Sequence, residues 1–277
     1  MGGLNQMPPA QVYRHPVAVR AFHWVNALCF VLLLMSGLQI FNAYPRLHWG
    51  NTGYFDTPAI FEISGNQDLN HPRSWIAING RPVVDTHGVF GGPREIPLFG
   101  VINIAFPRWL VLPSQDANLH YGRGWHFLTL YLFTLNFAIY VGYGLASRRF
   151  TEVLRPEADQ LKLTAIAQDL WMHLRLDHAR GMAALRYNLL QKFAYLIVLF
   201  VLMPLMILTG MTMSPSSLAR FPWLLDLFGG RQTARTLHFA GALSLLLFVL
   251  VHVGQVFIAG FVNQTRAMLT GWFRIQE

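Results

Sequence analysis

The sequence predicts an all-α membrane protein, a four-helix transmembrane bundle with a long outer loop segment and an amphipathic inner segment. The first observation is the composition: 53% of the 277 residues are hydrophobic, 12% are charged, and the mean hydropathy is +0.36. Such values are unusual for a soluble chain. The second observation is that four windows without a charged residue can each cross a hydrocarbon layer, which needs about 20 helical residues. These windows lie between Arg20 and Arg46, Arg123 and Arg148, Lys192 and Arg220, and Arg235 and Arg266.

Within these windows we predict helices at about 18–42, 122–147, 191–213 and 233–262, in a single integral-membrane domain over residues 1–277. Buried core helices of a soluble protein are the alternative, but the chain has too little polar sequence to cover four of them. The residues before the first helix contain no apolar stretch typical of a cleavable signal peptide. We therefore expect the first helix to be retained as an anchor.

The basic residues predict the orientation, because short loops rich in Lys and Arg stay in the cytoplasm. The segment between the second and third helices holds Arg148, Arg149, Arg155, Lys162, Arg175, Arg180, Arg186 and Lys192. It is predicted to be cytoplasmic, as are both termini, in a multi-pass protein of the bacterial inner membrane. The net charge of +8 is read as this topology signal and not as a nucleic-acid surface.

Two segments outside the helices are long enough to have structure of their own. The outer segment, about 43–121, is rich in Gly and Pro and contains β-compatible runs such as "SWIAI". Its length predicts a docking surface or a cap. The inner segment lies between the second and third helices. It has apolar residues at helical spacing, which predicts an amphipathic helix along the membrane surface. These residues are Leu161, Ile166, Leu170, Leu174 and Leu185.

Two histidines of the fourth helix are the first functional signal. His238 and His252 are separated by fourteen residues, which at 100° per residue is about 40° short of four full turns. Both rings therefore project from nearly one stripe, roughly 21 Å apart along the axis. One helix thus offers one ligand toward each side of the membrane, as two stacked hemes require.

The other helices supply a second histidine at each depth. His126 and His238 each follow an outer arginine by three positions, so they are predicted to bind an outer heme iron. His23, three residues into the first helix, is then paired with His252 at an inner heme iron. A lone intramembrane histidine is more often a packed core residue, but four at two matched depths favour axial ligation. The remaining histidines are expected to be solvated: His15, His48, His71, His87, His120, His173 and His178.

Three of these four histidines have an arginine one turn toward the nearer aqueous face. The pairs are Arg20 with His23, Arg123 with His126, and Arg235 with His238. Residues three apart share a helix face, so each guanidinium is placed to pair with a heme propionate. The alternative is an arginine that merely extends from a helix end into water.

The sequence also resembles a known family in four stretches. They are "AFHWVNALCFVLLLMSGLQIFNAYPRLHWG", "GRGWHFLTLYLFTLNFAIYVGYGLASRRF", "LLQKFAYLIVLFVLMPLMILTGMTMSP" and "HFAGALSLLLFVLVH". They are similar to the membrane b-type cytochrome subunits of nickel-iron hydrogenases, formate dehydrogenases and especially thiosulfate-reductase-like cytochromes. The resemblance implies two b-type hemes bound by histidines of the first, second and fourth helices.

The same resemblance implies electron transfer between membrane quinones and an outward-facing, periplasmic catalytic subunit, with a molybdopterin oxidoreductase as the expected partner. The sequence itself shows no acid–base pair, nucleophile or phosphate loop, so no catalytic residue is predicted. Two alternatives stay open. One is a stand-alone superoxide or ferric reductase, which the long outer segment disfavours because it would cover the heme edge; the other is a heme-free anchor or transporter.

A quinone needs a polar pocket at the membrane surface near the inner heme. The stretch "WMHLRLDH" offers His173, Arg175, Asp177 and His178 as donors and proton carriers. The alternative is a solvated basic face that only fixes the topology.

Overall fold

Four long apolar helices form the membrane part of the protein. The computed structural model describes residues 10–54, 57–96, 100–113, 118–175 and 185–275. Within these residues, the helices long and apolar enough to cross a membrane are Val17–Phe41, Leu119–Ala146, Leu189–Met213 and Arg231–Ile258. The predicted class of helical membrane protein is confirmed.

Local sequence features set the ends of the helices. The third helix begins after Asn188, whose side chain accepts from the Gln191 backbone N–H in a capping box. It contains a π-helical stretch, Val198–Leu202. The fourth helix ends four residues before the predicted position, because Gly260 has a left-handed φ of 99°. A separate helix, Phe261–Thr270, follows it.

The chain divides into two compact units, and every long helix contributes residues to both. The first unit comprises Met1–Val25, Asn136–Met203 and Leu243–Glu277. The second unit comprises Asn26–Leu135 and Pro204–Ala242.

In the first unit, a two-stranded ribbon joins the two ends of the chain. Strand β1 (Gln11–Tyr13) pairs antiparallel with β8 (Trp272–Arg274). The Asn263 amide fixes β8 by donating to the Arg274 carbonyl at 2.8 Å and accepting from the Arg274 N–H at 3.0 Å. Since one strand precedes the first spanning helix and the other follows the fourth, both must lie on the same side of the membrane.

The inner segment of this unit contains the predicted helix, Leu163–Leu174. The buried Asp169 carboxylate accepts from the Leu190 backbone N–H at 3.0 Å, at the start of the third helix. The Lys192 ammonium, also buried, donates to Gln160 Oε1 at 2.9 Å and to the Arg155 carbonyl at 3.1 Å. Buried charges that are hydrogen-bonded in this way hold the inner segment against the third helix.

In the second unit, the outer segment contains more regular structure than a loop. Four antiparallel strands form one sheet in chain order: β2 (Arg46–Leu47), β3 (Phe61–Gly65), β4 (Ser74–Ile78) and β5 (Arg81–Asp85). Two further strands, β6 (Pro93–Ile96) and β7 (Gly100–Asn103), pair antiparallel with each other. The run "SWIAI" is β4, as predicted.

A small apolar core joins this outer segment to the membrane helices of the same unit. Phe41, at the end of the first helix, is buried with Leu47, Ile63 and Ala105 of the outer segment. Phe239 of the fourth helix stacks on Phe41 with ring centroids 4.6 Å apart. The outer segment is therefore packed on the ends of the first and fourth helices, next to His238 of the fourth helix.

Candidate functional site

The four predicted histidines form two facing pairs, one in each unit. In the second unit, the ring centroids of His126 and His238 are 6.2 Å apart. In the first unit, those of His23 and His252 are also 6.2 Å apart. The fourth helix supplies one member of each pair. The histidines that lie together are those that the residue counts place at the same depth in the membrane.

This spacing fits a metal ion held between two imidazoles. A metal about 2 Å from Nε2 lies roughly 3 Å from the ring centroid, so two rings on opposite sides are roughly 6 Å apart. Among the residues described, no cluster of three or more His, Cys, Asp or Glu side chains is present. A heme iron needs only two axial ligands from the protein.

In the outer pair, His126 and His238, two hydroxyl groups determine which ring nitrogen carries the hydrogen. The Ser36 hydroxyl donates to the Leu32 carbonyl at 2.6 Å, and its oxygen lies 2.9 Å from His126 Nδ1. The Thr209 hydroxyl donates to the Leu205 carbonyl at 2.6 Å and lies 2.9 Å from His238 Nδ1.

Because each hydroxyl proton is used within its own helix, the hydroxyl oxygen accepts from the ring, and Nδ1 of His126 and His238 carries the hydrogen. The Nε2 lone pair of both rings is then free for a metal. Such a hydrogen bond also orients a ligating imidazole and raises its basicity.

A glycine follows each of these hydroxyl residues and faces the same ring. A Cβ on Gly37 would lie 3.5 Å from Cε1 of His126, and one on Gly210 would lie 3.5 Å from Cε1 of His238. Sequence reasoning missed Ser36 and Thr209, since hydroxyl residues are common in membrane helices. The repeated hydroxyl–glycine dipeptide, "SG" in the first helix and "TG" in the third, is the signal that was available.

The inner pair has aromatic neighbours in place of hydroxyl groups. Phe248 stacks on His252, with ring centroids 5.8 Å apart and an interplanar angle of 14°. Trp24 packs edge-on against His23 at 5.0 Å. Nδ1 of His23 is buried and has no hydrogen-bond partner among the described residues. The two pairs thus share their spacing but differ in what supports the rings.

The three arginines that are predicted to pair with heme propionates have different surroundings. Arg235 donates to the Arg46 carbonyl at 2.8 Å and to the Tyr44 carbonyl, so its guanidinium holds the start of the outer segment. Arg20 donates from Nη1 to the Leu269 carbonyl, while its Nε is buried and has no partner in the described part of the chain. Arg123 is exposed. A role at propionates stays a prediction, and Arg235 already has a structural one.

Two of the four residues predicted for quinone are engaged in local contacts. His173 Nδ1 donates to the Asp169 carbonyl at 2.8 Å, and the Arg175 guanidinium lies 4.6 Å from the centre of the Trp171 ring. Asp177 and His178 lie outside the described residues. The quinone site therefore stays a prediction.

The expectation that the remaining histidines are solvated is wrong for His15 and His48. His15 is 6% exposed, and burial, followed by the nearby Arg14 charge, lowers its pKa to about 4. His48 is 5% exposed, and its Nε2 lies 3.0 Å from the Tyr44 hydroxyl. Burial and the charges of Arg46 and Arg235 lower the pKa of His48. Both rings lie in polar stretches of sequence whose burial depends on distant parts of the chain.

Comparison with known proteins gives two matches over most of the chain. The model of a family described as prokaryotic cytochrome b561 matches residues 14–271. A relative from Azospira oryzae, named putative protein-methionine-sulfoxide reductase subunit YedZ1, is 29% identical over 244 residues, which cover 87% of this chain and 89% of the relative. No solved structure matches significantly. All four paired histidines lie within the matched residues.

Proposed function

We propose that this chain, which belongs to the prokaryotic cytochrome b561 family, is a diheme cytochrome that carries electrons between membrane quinones and an outward-facing catalytic subunit. As a member of that family it is a multi-pass membrane protein that binds b-type heme and transfers electrons. The observation that carries the proposal is the presence of two facing histidine pairs with equal centroid separations of 6.2 Å.

The residues of the chain have defined tasks in this proposal. Each heme would supply an iron that alternates between two oxidation states. His126 and His238 would bind the outer iron through Nε2, while Ser36 and Thr209 hold their rings in the required tautomer. His23, which packs against Trp24, and His252, which stacks on Phe248, would bind the inner iron.

The anchored outer segment supports docking of a catalytic subunit close to the outer pair. Thr236, two residues before His238, donates to the His48 carbonyl at 2.8 Å. The Gly50 N–H donates to the Thr233 hydroxyl, also at 2.8 Å. These bonds, together with Arg235, hold the segment to the helix that carries His238, so a bound partner would be kept at a fixed distance from the outer iron.

The relative from Azospira oryzae supports a reductase as the partner, because it is named as a subunit of a protein-methionine-sulfoxide reductase. We infer that the chain would serve electron transfer from quinol to a periplasmic molybdopterin subunit, with one histidine pair holding the inner heme and the other holding the outer heme. Protein-bound methionine sulfoxide is the first substrate to test for that subunit.

Heme content and redox titration of single variants test the proposal. A pyridine hemochrome assay should give two b-type hemes per chain. His23→Ala and His252→Ala should remove the same redox component, and His126→Ala and His238→Ala should remove the other. A chain with no heme would instead be an anchor or transporter, and joint loss of one component in His23→Ala and His126→Ala would refute the pairing.

Quinone exchange needs a separate measurement. Charge-neutral replacements of His173, Arg175, Asp177 and His178 should slow heme reduction by a quinol analogue while the heme spectra stay unchanged. Reduction at the parental rate in all four variants would place the site elsewhere.

A further inference from the structure

A group of positively charged side chains surrounds the start of the first helix in the first unit. Arg14 and His15 follow strand β1, and the backbone N–H groups of both residues donate to the Gly271 carbonyl, at 2.8 Å and 3.3 Å. The charges that act on His15 include those of Arg14, Arg149 and Arg20. In the part of the chain that the structure describes, none of these three arginines forms an ion pair with a carboxylate.

Several hydrogen-bond donors of this group are buried and find no acceptor among the residues that the structure describes. They are Nε and Nη1 of Arg14 and Nε of Arg20. Nδ1 of His15, a residue that is only 6% exposed, likewise has no hydrogen-bond partner among those residues. Buried polar groups in a folded protein are normally satisfied, so unpaired atoms on these neighbouring side chains call for an acceptor other than the described residues.

The remaining contacts of the arginines leave these donors available. The Arg14 guanidinium lies 5.0 Å from the centre of the Phe273 ring and 5.5 Å from that of Tyr187, which fixes its plane without using its N–H groups. The helix that begins at Val17 has 25 residues, and its N-terminal backbone adds partial positive charge at the same place.

We propose that Arg14, His15 and Arg20 bind one anionic group, a carboxylate or a phosphate, at the start of the first helix. Two sources supply such a group at a membrane surface. One is a propionate of the inner heme, since Arg20 is one turn from His23; this source rests on the proposed function. The other is the phosphate of an anionic phospholipid, which does not.

The test compares Arg14→Gln with Arg148→Gln in the full-length protein with its hemes. Arg148 is exposed and lies in the basic inner segment, so its replacement makes the same charge change at a position outside the proposed site. Arg20→Gln is the second site variant, in case loss of the Arg14 ring contacts prevents folding. Elution as a single species on size exclusion and an unchanged outer-heme spectrum verify the fold of each variant.

Two measurements distinguish the sources. Redox-difference infrared spectroscopy with heme labelled with carbon-13 at the propionates should show shifted carboxylate bands in Arg14→Gln, but not in Arg148→Gln, if the ligand is a propionate. Native mass spectrometry with added phosphatidylglycerol should show about tenfold weaker lipid binding in Arg14→Gln if the ligand is a phosphate. Phosphatidylcholine serves as the zwitterionic comparison.

The site variants will differ from Arg148→Gln in one of these measurements if the proposal is correct. Site variants that match Arg148→Gln in both would overturn it. If the inner pair holds no heme, the proposed function fails separately, and the lipid measurement alone then decides whether the anion site exists.

Discussion

Replacement of Thr209 by valine tests whether a hydroxyl group supports the outer heme ligand. Thr209 is fully buried, and its oxygen accepts from Nδ1 of His238 at 2.9 Å. Valine keeps the shape of the side chain but removes the acceptor. A buried donor that loses its partner costs about 1–3 kcal/mol.

The magnitude should lie at the lower end of that range. The Met206 carbonyl lies 3.4 Å from the Thr209 oxygen and can accept from the His238 ring once the hydroxyl is removed, so part of the support remains. We expect a loss of about 1 kcal/mol, or roughly fivefold weaker retention of the outer heme. The less basic imidazole should also stabilise the reduced iron and raise the midpoint potential of the outer component.

Thr212→Val is the matched control. Thr212 is equally buried in the same helix, and its hydroxyl donates to the Leu208 carbonyl at 2.9 Å, one turn back, as that of Thr209 donates to Leu205. Spectroelectrochemical titration of the two variants should show a raised outer potential in Thr209→Val only. Equal shifts in both variants, or a shift confined to the inner component, would refute the reasoning.

Three further predictions concern how the chain is held together. Arg235→Gln removes charge-assisted hydrogen bonds to two outer-segment carbonyls, so limited proteolysis should cut this segment faster than in the parent; an unchanged rate would mean that the bonds contribute little. His48 has a lowered pKa in the folded protein, so stability should fall as the pH drops below about 6.5, the ordinary pKa of histidine. Thermal unfolding of His48→Gln should show a weaker dependence on pH over that range, and a parallel curve would contradict the assignment. Asn263→Ala should destabilise the β1–β8 ribbon by about 1–3 kcal/mol, which faster hydrogen exchange at Val12 would reveal.

The sequence predicts the helices and the histidine pairs well for a common physical reason. A spanning helix must be long, apolar and nearly free of charge, so His23, His126, His238 and His252 stand out and their depths follow from residue counts. The early end of the fourth helix depends on the single residue Gly260, which the apolar pattern does not mark.

The features that sequence reasoning missed depend on contacts between distant residues. Ser36 looks like any hydroxyl of a membrane helix until His126 is placed beside it. His15 and His48 lie in polar stretches, and their burial comes from residues such as Gly271 and Thr236 more than 180 positions away along the chain. The pairing of the outer strands is likewise set by the whole segment and not by local propensity.

The ribbon between β1 and β8 has a consequence for biogenesis. One strand precedes the first helix and the other follows the fourth, so the ribbon closes only after all four helices have been synthesised. At about 5–20 residues per second, β1 waits unpaired for roughly tens of seconds of translation. A product truncated before β8 keeps β1 as an open strand edge with which another chain can pair.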